Sequence, residues 1–358
     1  MNTPGRLRAA MRNSKPDTRT GQPRRALRYV NDDEPGITRR RAGRGFAYLD
    51  AKGRRVRDEA TLARIGALAI PPAYTDVWIC ADHRGHLQAT GRDARGRKQY
   101  RYHAAWQDRR DARKYRRLLR FAERLPVLRA RLRRDRRLDD LPRDKVLAAM
   151  TAVMMATSIR VGNPEYTRTN HSYGLTTLRT RHVTFRRDGT ASFRFPGKSG
   201  QQREAELTDR RLVRLVRRCS RLSGPSLFQY DDEGVHRRAT AAQLNDYLRD
   251  TLGERFSAKD FRTWAGTLAV IACLAGTPLP TRGGERARRA AIKHAIDLAA
   301  EELGNTPAVA RKAYVCPQVL DGWVAGDLHR LVPEADVAHP RRLEKRAIRL
   351  LRHCLAAR

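Results

Sequence analysis

Apolar residues recur along this chain with two different periods, and the change between them divides it. From Tyr29 to about Gln107 the apolar runs are short and separated by turns, which predicts strands. Gly45-Phe46-Ala47-Tyr48-Leu49 leads into the turn Asp50-Ala51-Lys52-Gly53, and Val77-Trp78-Ile79-Cys80 and His86-Leu87-Gln88-Ala89-Thr90 read as further strands. Leu62 to Leu68 predicts one short helix, closed by Pro71-Pro72. Beyond this region spacings of three and four take over. Leu118, Leu119, Phe121, Ala122, Leu125 and Leu128 predict amphipathic helix, and Pro126 predicts a break into two. Val146, Ala149, Met150, Val153 and Met154 predict a helix that ends close to Arg160.

After Arg181-His182-Val183 the pattern changes again, to three short strands. Asp188-Gly189 divides the first two and Gly197-Lys198-Ser199-Gly200 the second and third, which puts Lys198 at a hairpin tip. Helical patterns then dominate: Arg210 to Cys219, Ala241 to Leu252 with Thr240 as N-cap, Thr263 to Cys273, and Glu285 to Leu303 closed by Gly304. Asn305 to Tyr314 reads as a short helical segment after a cap, and Arg341 to Leu355 as a terminal amphipathic helix. The fold class expected is α+β: a small strand-rich N-terminal domain over 26–107, and a larger, mainly helical domain over 108–358 with a hairpin in a three-stranded sheet. Residues 1–25 are polar, basic and rich in Pro, Gly, Ser and Thr, the composition of a disordered arm.

Charge narrows the partner. The 358 residues carry a formal net charge of +37, from 75 basic and 38 acidic side chains. Residues 109–137 alone hold 14 basic and 3 acidic residues. Such a chain repels itself in isolation and implies a polyanion, with nucleic acid ahead of membrane. No run is long and apolar enough to span a bilayer, and no signal-peptide core follows the start. Cys80, Cys219, Cys273, Cys316 and Cys354 are scattered and odd in number, which reads as a reduced cytosolic protein without disulfides or structural zinc.

Candidate chemistry concentrates between Ser158 and Lys198. Arg160 follows a firm helix and Lys198 tips a mobile hairpin; together they suit a phosphate, one as a planar fork and the other as a proton donor. Arg262, in Lys259-Asp260-Phe261-Arg262-Thr263-Trp264, stands near a helix start. In the small domain, Arg97-Lys98-Gln99-Tyr100-Arg101-Tyr102 alternates Gln99 and Arg101 on one face with Tyr100 and Tyr102 on the other. Basic residues interleaved with aromatics and an amide can contact phosphates, sugars and base edges, or the two tyrosines can be core. Gly197-Lys198-Ser199 imitates the end of a phosphate-binding loop. Its required earlier glycine is Ser192, however, and no strand-to-helix context surrounds it. The ten histidines include no convincing zinc pair; His182 reads as support for a strand and His236 as part of a loop.

The order Arg160, Lys198, Arg262, Tyr314 resembles that of the type IB DNA topoisomerases of the poxvirus and bacterial kind. The likeness runs from about Tyr29 to Leu320 and includes the Arg-Lys-Gln-Tyr-Arg-Tyr strand. The resemblance implies a catalytic domain of the tyrosine-recombinase kind, no metal, no cofactor, and a double-stranded DNA partner held by a monomer that closes as a clamp. It further implies that Tyr314 attacks the scissile phosphodiester to give a 3′-phosphotyrosyl link, that Arg160 and Arg262 neutralise the transition state, and that Lys198 protonates the leaving oxygen. Lys259 would assist from the minor-groove side, and Arg97, Gln99, Tyr100, Tyr102, Tyr166 and Thr177 would touch DNA. Many relatives carry His nine residues before the nucleophile; here Asn305 stands there, able to donate a hydrogen bond but not to shuttle a proton. A nucleoid location in the cytoplasm follows from the same likeness.

Two rivals remain. Tyrosine recombinases share the nucleophile and the two arginines, but usually show His-x-x-Arg where this chain has Lys259-Asp260-Phe261-Arg262, and their N-terminal domain is usually helical. A non-catalytic basic DNA-binding protein would explain the charge but not the ordered constellation.

Overall fold

A computed structural model describes residues 26–253, 256–280 and 284–356, so the arm expected over 1–25 lies outside the described residues. The chain divides into two compact units, one ending at Arg113 and the other beginning at Lys114.

The first unit is built on a five-stranded antiparallel sheet. Its strands are β1 (Ile37–Ala42), β2 (Gly45–Leu49), β3 (Thr75–Ile79), β4 (Leu87–Arg92) and β5 (Lys98–Tyr102), in the order β2-β1-β3-β4-β5. Between β2 and β3 lies helix α1 (Glu59–Ala67), capped by the Asp58 carboxylate, which accepts the Thr61 N–H at 2.8 Å. Ile65 from α1 packs with Ile37, Val77, Ile79 and Ala89 from the sheet. A buried amide fixes the loop before β4. The Gln88 side chain donates to the carbonyls of His83 and Gly85 at 3.1 and 2.8 Å, and accepts from Arg64 at 2.7 Å. The last strand, β5, lies at a sheet edge and carries the aromatic and basic run.

Helix α2 (Ala104–Asp135) corrects the expectation of two helices broken at Pro126. Proline removes one helical hydrogen bond and costs ~3 kcal/mol or more in a helix interior. Here, though, one apolar stripe runs straight through it: Tyr115, Leu118, Phe121, Ala122, Leu125, Leu128 and Leu132 are all buried. Each large side chain so buried contributes ~1.5–3 kcal/mol, and the sum outweighs the missing bond.

The second unit continues with α3 (Arg143–Thr157), α4 (Pro164–Asn170), and β6 (Val183–Phe185), β7 (Ala191–Pro196) and β8 (Gln202–Leu207), which form an antiparallel sheet in that order. Helix α5 (Arg210–Cys219) follows, then a hairpin of β9 (Gln229–Asp232) and β10 (Val235–Arg238) that corrects the loop expected around His236. That hairpin is legible only in its turn. Glu233 and Gly234 both have positive φ, 54° and 84°, while β10 is exposed throughout and has no apolar alternation to betray it. The rest is helical: α6 (Ala241–Leu252), α7 (Ala258–Ala275), α8 (Glu285–Leu303), α9 (Pro307–Ala313), α10 (Pro317–Val324), α11 (Asp327–Leu331) and α12 (Pro340–Ala356). Helices α3 and α7 are buried on most sides and form the centre of one continuous core, with Phe121, Met150, Val270, Ile271 and Trp323 all at or near zero exposure. No helix among the described residues is long and apolar enough to cross a membrane.

Candidate active site

Two helix C-termini organise the site. Helix α3 ends at Ser158, whose left-handed φ of 53° turns the chain while its N–H still reaches Met154 O at 3.0 Å. Helix α8 ends at Gly304, with φ of 57°, where glycine is needed to reverse direction. Each end leaves carbonyls without helical partners and a partial negative charge. Three arginines occupy them. Arg262 donates to Ser158 O and, at 2.8 Å, to Leu303 O; Arg203 donates to Thr157 O, Glu301 O and Glu302 O; Arg160 donates to Gly304 O at 3.0 Å and to the Asn305 amide oxygen. Burial, and next the Arg262 guanidinium, pull Arg160 down to about 10, which leaves it charged at neutral pH. Burial also lowers Arg262, with the Tyr314 side chain acting the other way.

Arg160 is fixed by its own backbone. Leu175 N–H donates to Arg160 O at 2.8 Å and Thr176 N–H to Val161 O at 2.7 Å, so the 174–177 turn clasps the 160–162 segment. The clasp is tight because glycines meet there. A Cβ on Gly174 would lie 2.5 Å from Gly162 N and 2.6 Å from Arg160 O.

Tyr314 ends α9 and is held on three sides. Its carbonyl accepts the Thr267 hydroxyl at 3.0 Å, while Lys114 and Tyr115 of α2 donate to the flanking carbonyls of Ala313 and Val315 at 2.8 and 2.7 Å. Gly266 allows α7 to run flush against it, since a Cβ there would come within 3.2 Å of Tyr314 Cβ. One turn earlier on the same face of α7, the Arg262 guanidinium carbon sits 5.1 Å from the centre of the Tyr314 ring. Two further donors, Arg262 Nε and Asn305 Nδ2, are buried without a partner among the described residues. An unmet buried donor costs ~1–3 kcal/mol, and an oxyanion would satisfy it.

The structure thus brings together Arg160, Arg262, Asn305 and Tyr314. Lys198 sits in a short 3-10 turn between β7 and β8, and Lys259 in the first turn of α7. Both are exposed, and neither side chain has a hydrogen-bond or ion-pair partner among the described residues. Tyr166, on α4, is 60% exposed. Thr177 is not presented: it is buried, and its hydroxyl accepts Gly174 N–H at 3.0 Å and donates to Gly174 O at 3.1 Å, bracing the clasp. In the first unit, Tyr100 is 47% exposed and stacks on Tyr102, with ring centres 6.1 Å apart, so the core alternative for Tyr100 does not hold. Gln99 and Arg97 both donate to Asp93, at 3.0 and 2.9 Å, and the Arg97 side chain foremost holds that carboxyl down to about 2.

Residues 103–320 match the family of the eukaryotic DNA topoisomerase I catalytic core, and residues 45–93 match the N-terminal domain of bacterial DNA topoisomerase IB. The chain belongs to the type IB DNA topoisomerases. It is also 32% identical over 310 residues to a protein of Acanthamoeba polyphaga mimivirus named DNA topoisomerase 1B, covering 85% of this chain and 90% of that one. Within this topoisomerase, sequence reasoning missed Arg203, Gly174 and Gly266 as site-building residues. Arg203 was the most accessible of the three. It falls on the inward face of β8, in register with Ala205 and Leu207, where a charged residue needs a reason.

Proposed function

We propose that this topoisomerase relaxes supercoiled DNA by nicking one strand through Tyr314 and resealing it, without ATP or metal. The observation that carries the reading is the grouping of the Arg160 and Arg262 guanidiniums and Asn305 with the Tyr314 phenol at two helix ends. The phenol oxygen bonds to phosphorus as the P–O5′ bond breaks, and its proton is lost to solvent. The extra charge on the non-bridging oxygens is met by Arg160, Arg262 and the Asn305 amide. The departing 5′ oxygen takes a proton from Lys198, which has no side-chain partner among the described residues to hold it away, and Lys259 assists beside it. The 3′-phosphotyrosyl link conserves the bond energy, the duplex rotates, and the 5′-hydroxyl attacks back. Arg97, Gln99, Tyr100, Tyr102 and Tyr166 contact the duplex, and Thr177 contributes through the clasp around Arg160. A monomer whose two units close on DNA, in a nucleoid-associated setting, fits the charge of +37.

The test is a denaturing gel after mixing with supercoiled plasmid in EDTA. Wild type should give relaxed plasmid and a covalent protein–DNA adduct; Tyr314→Phe should bind equally and give neither. An adduct from Tyr314→Phe would mean that another residue attacks. Activity abolished by EDTA and restored only by magnesium would refute the metal-free reaction.

A further inference from the structure

Lys198 must reach one oxygen atom, yet among the described residues none hydrogen-bonds or ion-pairs with its side chain. Its position follows the backbone of the hairpin tip, so what holds the hairpin aims the lysine. On the β7 side, Tyr173 N–H donates to Pro196 O at 2.8 Å. On the β8 side the anchor is Arg203, paired across the sheet with Phe195. From there the ladder closes quickly on the tip: Pro196 pairs with Gln202, and Gly197 N–H donates to Gln201 O at 2.8 Å.

Arg203 reaches away from the hairpin to both helix ends. It donates to Thr157 O at 3.2 Å, to Glu301 O at 3.1 Å and to Glu302 O, and its side chain packs against Gly304, where a Cβ would come 3.1 Å from Nη1 and 3.2 Å from Cδ. Those carbonyls occupy both terminal nitrogens, so the group is spent on the protein and not left for a phosphate. The same helix end presents Gly304 O and Asn305 to Arg160. Arg203 therefore ties the hairpin that carries Lys198 to the two helix ends that hold Arg160 and Arg262.

We infer that Arg203 is a positioning residue for leaving-group protonation, holding the hairpin so that Lys198 meets the 5′ oxygen while the P–O5′ bond breaks. This rests on the reading of Lys198 as the proton donor. In the step itself the Tyr314 oxygen–phosphorus bond forms, the P–O5′ bond breaks, and the Lys198 proton passes to O5′.

Replacing the 5′ bridging oxygen with sulfur isolates this role, because a thiolate leaves without protonation, the thiol having a pKa of about 8.5. At a cleavage site first mapped with wild-type enzyme, single-turnover cleavage would be measured on oxygen and sulfur duplexes for Arg203→Ala, Arg203→Lys, Lys198→Ala and Arg262→Ala. Arg203→Ala should lose at least ~10-fold on the oxygen duplex, part of the ~10²–10⁴-fold a general acid supplies, and recover most of it on sulfur. Arg203→Lys keeps a cation and its stem over Gly304 but not three forked bonds. It should lose less, recover likewise, and serve if the alanine variant is poorly folded. Arg262→Ala should not recover. If sulfur rescues Lys198→Ala but neither Arg203 variant, or if both Arg203 variants cleave the oxygen duplex at wild-type rate, the inference is wrong. If sulfur fails to rescue Lys198→Ala itself, the proton-donor reading falls, and the inference with it.

Discussion

Replacing Gly174 by alanine tests whether Arg160, proposed to neutralise the transition state, is aimed by its backbone. Gly174 has φ of −158°, extended backbone that alanine adopts freely, so the penalty is steric alone. The new Cβ would lie 2.5 Å from Gly162 N, 2.6 Å from Gly162 Cα and 2.6 Å from Arg160 O, all of them backbone atoms. Ordinary contact begins at 3.4 Å, so the two segments must part by roughly 0.9 Å at the tightest point, and no side-chain rotation can relieve it. Parting them stretches the 2.8 Å bond from Leu175 N–H to Arg160 O. Overpacking of this kind costs ~1–3 kcal/mol, and a weakened hydrogen bond about 1 kcal/mol more. The expected fall in Tm is therefore several degrees at ~2–4 °C per kcal/mol, short of unfolding. Catalysis should suffer far more. The Arg160 guanidinium moves with its backbone, and a 1 Å misplacement can cost ~10²-fold in rate. Single-turnover cleavage should drop by about that factor while duplex affinity, spread over many cations, stays within a few-fold. A Gly174→Ala enzyme that melts lower but cleaves at wild-type rate would show that the clasp does not aim Arg160.

Two further outcomes follow from the charge and from one buried imidazole. Duplex binding should weaken with salt, log K falling by ~0.9 per phosphate neutralised for each tenfold rise in salt; a flat response would contradict a phosphate-dominated interface. His182 Nδ1 accepts Arg179 N–H at 3.1 Å, and burial, with Arg181 and Arg179 nearby, depresses it to about 4. Unfolded, it takes up a proton near 6.5, so its contribution is complete above pH 6.5 and is lost as pH falls toward 4, by up to ~3 kcal/mol. His182→Gln should flatten that part of the stability profile in denaturant titrations, and an unchanged slope would assign the acid sensitivity elsewhere.

What was legible in the sequence is what depends on periodicity and on side-chain type. Helix α8 was bounded correctly at Glu285 and Leu303 because its amphipathic stripe stops at a glycine, and the three-stranded sheet because Asp188-Gly189 and Gly197-Lys198-Ser199-Gly200 punctuate it. Pro126 misleads because a local rule does not see the buried stripe that overrides it. The β9–β10 hairpin was missed because an exposed two-stranded ribbon needs no apolar alternation. For the candidate site, the sequence supplied the side chains but not what holds them. The cradle for Arg160, Arg203 and Arg262 consists of the carbonyls of Thr157, Ser158, Glu301, Glu302, Leu303 and Gly304, and a carbonyl has no letter of its own.

That cradle also explains how three guanidiniums can share a small space before any DNA arrives. Like charges at such separations repel by several kcal/mol at the dielectric of a protein surface. Carboxylate partners would relieve the repulsion, but they would also cancel the field that a phosphate must feel. Helix C-terminal carbonyls carry only about half a charge per helix, and they spend it on directed hydrogen bonds. They can fix the orientation of each fork while leaving the cluster strongly positive. Glu302 fits this division: its carboxylate accepts the Ser158 hydroxyl weakly at 3.5 Å, while its backbone carbonyl, not its carboxylate, accepts the hydrogen bond from Arg203. The cluster is therefore oriented by dipoles and left short of an anion; on the proposed mechanism, this is the state in which an incoming phosphodiester gains most from binding and its transition state gains more still.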